Sequence, residues 1–85
     1  MEIKLEIPEF PKDGGFKYHW ENWFEITVKS NDNKVAILAN KAGLISLAIQ
    51  MLTLAQVTVP LYFYTQLDEH NSLEEGSKEL IIQKI

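Results

Sequence analysis

Asn40–Gln56 reads NKAGLISLAIQMLTLAQ, an apolar helical stretch set between runs of β-patterned sequence. Asn40 is placed to cap it, because an Asn side-chain oxygen accepts a free backbone N–H of the first helical turn. Leu44, Leu47, Ala48, Met51, Leu52 and Ala55 recur at helical spacing and predict one buried face, widened by Ile45 and Ile49. Ser46, Gln50 and Thr53 form the narrow polar stripe that remains. A helix this apolar is expected to lie well buried across a sheet. Gly43 in its first turn costs about 1 kcal/mol relative to alanine, and close approach of a neighbouring group explains its presence.

Outward from the helix the period changes from 3.6 to 2. Before it, Ile3, Leu5 and Ile7 alternate with Glu2, Lys4 and Glu6, the pattern of a half-buried strand closed by Pro8 and Pro11. Asp13-Gly14-Gly15 reads as a turn, and Phe16, Tyr18 and Trp20 alternate as a second strand. After a kink at Asn22, Phe24, Ile26 and Val28 alternate again, and Asn31-Asp32-Asn33 connects them to a partner strand, Val35–Ala39. Beyond the helix, Val57–Thr65 is β-branched and aromatic with Pro60 near its start. Asp68–Lys78 reads mostly as loop, where Ser72 and Glu75 have capping-box spacing before Gly76, and Glu79–Ile85 reads as a last strand. The expected fold is α+β: a single domain over residues 1–85, with one antiparallel sheet of five or six strands packed on one helix.

Composition narrows the function. The 85 residues contain no cysteine, which removes disulfides and thiolate metal sites and suits a reducing cytoplasm. The N-terminal MEIKLEIPEF lacks the basic and apolar regions of a secretory leader. The uncharged run Ala42–Leu67 is interrupted by polar residues and Pro60, so a core helix and a strand are expected rather than a membrane span. All eight basic residues are lysines and the net charge is −4. Without arginine the chain lacks the fork that grips phosphates and guanine edges, so direct nucleic-acid binding is not expected. His19 and His70 stand apart with no partner at metal-ligand spacing, and no serine sits in a nucleophile elbow. No catalytic residue, cofactor or metal site is expected.

Two features mark a binding surface. Phe16–Phe24, FKYHWENWF, concentrates aromatic residues. Most are needed for a small core, but adjacent positions near a kink cannot all point inward, which singles out Trp20 and Trp23 for partner binding. The second is the segment Asp68–Glu79, where Asp68, Glu69, Glu74, Glu75 and Glu79 oppose Lys78 alone and carry a net charge equal to that of the whole chain. Such a face steers association with a basic protein.

Trp23-Phe24-Glu25-Ile26, the strand Val35–Ala39, Asn40-Lys41-Ala42-Gly43-Leu44 and Leu54-Ala55 follow one another in an order that resembles the Immunity protein 32 family. The ending Leu73-Glu74-Glu75-Gly76-Ser77-Lys78-Glu79-Leu80-Ile81-Ile82 is similar to that family's C-terminal pattern. The resemblance spans Trp23–Ile85, with Tyr62-Phe63-Tyr64 standing where a histidine-rich strand is expected. It implies a bacterial polymorphic toxin system, in which a small protein made beside a toxin, often a nuclease, neutralises it by binding in the producing cell's cytoplasm. The competing expectation is a structural module that homo-oligomerises through a sheet edge.

Overall fold

The computed structural model describes residues 1–9 and 19–85. The Asp13-Gly14-Gly15 turn and most of the strand expected through Phe16 and Tyr18 lie outside the described residues. The chain order is β1 (Ile26–Asn31), β2 (Lys34–Ala39), α1 (Lys41–Leu54), β3 (Tyr64–Leu67) and β4 (Leu80–Gln83). The class is α+β with one helix, but the strands form two separate antiparallel pairs, β1–β2 and β3–β4, instead of one sheet of five or six strands.

β1 and β2 form where the alternation predicts them, with Ile26 opposite Ala39 and Val28 opposite Ile37 across the Asp32–Asn33 turn. Opposed residues share a face, so Ile26 and Val28 point into the core, where they cluster with Leu47, Leu67 and Leu73. The second hairpin contributes Leu67 to that cluster, with Leu80 packed against it. Thr65 and Leu67 of β3 turn inward opposite Ile82 and Leu80 of β4, leaving Tyr64, Gln66, Ile81 and Gln83 outside.

The hairpins are joined by the stretch 74–78, which runs along the edge of β1 away from β2. Glu74 N–H donates to the Ile26 carbonyl (2.8 Å) and Lys78 N–H to the Val28 carbonyl (2.9 Å). The third bond comes from a side chain, since Val28 N–H donates to Ser77 Oγ. A serine hydroxyl thus stands where a ladder would use a carbonyl, and this join is not a strand.

Residues 1–9 contain no strand either, contrary to the alternation of Ile3, Leu5 and Ile7. They are tied to the chain just past the helix, where Gln56 Nε2 donates to the Pro8 carbonyl (2.7 Å). Val57–Phe63 is a series of turns, so the strand expected at Val57–Thr65 begins only at Tyr64 and runs on to Leu67. Pro60 removes a donor and Tyr62 adopts φ +69°, and neither fits a ladder. The helical turn foreseen at Ser72–Glu75 is also absent, because Ser72 Oγ donates to Asn71 Oδ1 rather than capping.

The helix carries the largest correction. It starts as foreseen, with Asn40 Oδ1 accepting from Gly43 N–H (2.8 Å). A methyl group on Gly43 would collide with the Glu25 carbonyl and lie 2.9 Å from Ile26 Cγ1, so the glycine marks close approach of helix and β1. The buried side, however, holds the polar stripe. Ser46, Gln50 and Thr53 are buried together with Leu47, Ile49 and Leu54, while Leu44, Met51 and Leu52 are exposed. The cause is the non-strand backbone that crosses this side. Glu21 N–H donates to Ser46 Oγ (2.8 Å), and Gln50 Nε2 donates to the His19 carbonyl (2.7 Å). Peptide groups outside a ladder need partners when covered, and the stripe supplies them. Thr53 Oγ1 returns its proton to the Ile49 carbonyl.

Candidate partner-binding surface

Trp20 and Trp23 are separated by the turn at Asn22–Trp23 and have different surroundings. Trp20 stacks on Phe24 with ring centroids 4.8 Å apart, and both pack against the core. Trp23 is 91% exposed and holds φ +66°, a conformation disfavoured for any bulky side chain. Asn40 imposes it. Its Nδ2 donates to the Trp23 carbonyl (2.9 Å), while its Oδ1 accepts from Glu25 N–H (3.0 Å) as well as from Gly43. One side chain therefore caps the helix and fixes the corner that presents the indole.

The five acids of the 68–79 segment divide in the same way. Asp68 Oδ1 accepts from His70 N–H, Glu69 Oε2 from Gly76 N–H (2.8 Å) and Glu79 Oε2 from Gln66 Nε2 (2.9 Å). These bonds shape the loop and its flank, with Gly76 at φ +85° to let the chain turn. Glu74 and Glu75 are exposed at the start of the stretch that runs along β1. Phe24 and Glu25 separate Trp23 from β1, and Glu74 N–H donates to the Ile26 carbonyl, so the exposed indole and this acidic pair belong to the same end of β1. Asp68, Glu69 and Glu79 belong to the other hairpin.

Sequence reading passed over a third feature. Tyr62, Phe63 and Tyr64 line an open groove of about 640 Å³ together with Gln66, Asp68 and Asn71. The available signal was the alternation of Tyr62, Tyr64 and Gln66 running into the first acid of the loop. It was hidden by reading Val57–Thr65 as a single strand.

His19 and His70 are exposed, each beside a glutamate: Glu21 at 3.3 Å and Glu69 at 3.7 Å. Among the described residues no three His, Asp or Glu side chains converge as a metal site, and no helix is long and apolar enough to cross a membrane.

Residues 34–85, more than half of the chain, match the family described as Immunity protein 32, and the chain belongs to that family. The match begins at the first residue of β2, so Trp23-Phe24-Glu25-Ile26 lies before it. The family's name points to toxin immunity, hence to a toxin as partner and to a role other than catalysis. No curated protein and no solved structure shows significant similarity to the chain.

Proposed function

We propose that this chain is a non-catalytic immunity protein that acts as one domain in the bacterial cytoplasm, binding a cognate toxin and blocking it. Membership of the Immunity protein 32 family carries this reading. The surface is consistent with it, since Trp23 is exposed at a fixed corner and Glu74 and Glu75 stand free beside β1. Tryptophan is enriched at interface hot spots, and acidic patches speed encounter with basic partners. A nuclease suits that surface, because an active site that holds phosphates is basic. Co-expression tests it: cells making the toxin encoded beside this chain should survive only when the chain is present, and the two proteins should co-purify. Survival that does not depend on the chain refutes the reading.

A second reading is favoured by β2. It pairs only with β1 among the described residues, and Val35, Ile37 and Leu38 are exposed on it. An apolar free edge is a template for strand pairing, so the alternative is a module that homo-oligomerises there. Sedimentation decides: a monomer at high concentration rejects it.

A further inference from the structure

We propose that the groove of Tyr62, Tyr64 and Asp68 is a receptor for an arginine side chain of the protein partner. The identity of that partner as a toxin rests on the reading above; the chemistry of the groove does not.

The tyrosines are not required by the core. The inward residues of β3 are Thr65 and Leu67, whereas Tyr62 is 68% exposed and Tyr64 50%. Tyr62 is nonetheless fixed, and in a conformation that costs energy. Its N–H donates to the Lys84 carbonyl (2.7 Å), and its carbonyl accepts from Gln83 Nε2 (2.9 Å), which hold φ at +69°. The opposite wall is equally determined. Asn71 Oδ1 accepts from Asp68 N–H (2.9 Å) and from Ser72 Oγ, and its Nδ2 donates to the Gln66 carbonyl (3.0 Å). A groove ordered before binding spares the partner much of the entropy of ordering it.

Charge selects the occupant. Among the described residues the lining has one carboxylate and no cation, and Glu79, bonded to Gln66, adds a second negative group at its margin. An anion is repelled, and an apolar side chain would strip water from Asp68 without replacing its hydrogen bonds. A cation meets both conditions, because tyrosine faces attract it and the carboxylate pairs with it. Asp68 Oδ1 already accepts from His70 N–H, but a carboxylate has about four lone-pair sites, so capacity remains. Arginine fits better than lysine, since a planar guanidinium stacks on one ring while donating sideways to a carboxylate.

The test titrates the full-length protein, labelled with ¹⁵N, with acetyl-Gly-Arg-Gly-amide and separately with its citrulline counterpart, which keeps the shape and loses the charge. Saturable amide shifts confined to residues 62–71 are expected with the arginine peptide, at least roughly tenfold weaker with citrulline. Asp68→Asn retains an Oδ1 for His70 and should weaken binding by roughly tenfold, and Tyr64→Ala by roughly threefold, with the remaining spectrum unchanged. Absence of localised shifts, equal response to citrulline, or shifts that survive Asp68→Asn would overturn the proposal. Because no toxin is present, such a failure leaves the immunity reading standing. Conversely, a chain that takes arginine here and does not protect cells refutes that reading alone.

Discussion

At Trp23, backbone and side chain are both held against their preferences, with φ +66° for a bulky residue and an indole left in water. Left-handed backbone costs an L-residue about 1–2 kcal/mol, and glycine escapes that cost while giving part of it back as unfolded-chain entropy. Trp23→Gly is therefore expected to raise stability by about 0.5–1 kcal/mol in urea unfolding and to weaken the toxin complex. A variant with lower stability and full toxin affinity would show that the corner serves the fold rather than the interface. Gly43 behaves in the opposite sense. Alanine gains about 1 kcal/mol of helix propensity, but its methyl group would meet the Glu25 carbonyl and Ile26. Overpacking of that kind costs about 1–3 kcal/mol, and more against backbone. Gly43→Ala should be destabilising overall, and a rise in midpoint would mean that helix and β1 can separate freely. The cap at Asn40 and the close approach at Gly43 were legible in the sequence because both are local signals, one residue type at one turn of helix. The left-handed Tyr62 was not legible, since its conformation is imposed by Lys84 and Gln83 from the far end of the chain.

The helix shows why an apolar pattern locates an element more securely than it orients one. Its span and cap follow from residues 40–56 alone, yet the face that points inward was decided by the peptide groups of His19 and Glu21, which need partners. Hydrophobic periodicity counts methyl groups and is blind to backbone donors and acceptors elsewhere. Two substitutions separate the alternatives. Gln50 is 1% exposed and holds the His19 carbonyl, so Gln50→Ala leaves that acceptor unpaired beside a cavity, at a cost of about 2–4 kcal/mol. Leu44 is 57% exposed, so Leu44→Gln should change stability by no more than about 0.5 kcal/mol. Thermal or urea unfolding that ranks the two in reverse would show that the apolar face is the buried one after all. The hairpins follow a similar rule. β1–β2 was readable because turn and alternation lie within the one stretch Ile26–Ala39, and β3 was misplaced because Pro60 and Tyr62 displace its start.

Across the whole molecule, the expected single sheet divides because joining the hairpins is a long-range event. Pairing within each hairpin is encoded locally, but the junction consists of the 74–78 stretch along β1, completed by the Ser77 hydroxyl. No period-2 pattern announces a join made through a side chain. That junction also settles where the charge is displayed. Glu74 and Glu75 emerge from it into solvent, while Glu79 continues toward β4 and takes a bond from Gln66. Reversing all three with lysine adds two charges per site and turns the net charge from −4 to +2. If the acidic segment steers a basic toxin, E74K/E75K/E79K should lower the association rate constant by more than about tenfold at low ionic strength, with a smaller change in dissociation. Wild-type association should also slow as salt rises, because exposed charges are screened within about 8 Å at physiological ionic strength. Stopped-flow mixing with the toxin over a salt series measures both effects. Glu79 alone makes a structural bond, so E79Q, which retains an acceptor for Gln66, isolates charge from loop geometry. An unchanged on-rate for the triple variant at low salt would remove electrostatic steering and leave recognition to Trp23 and the tyrosine groove.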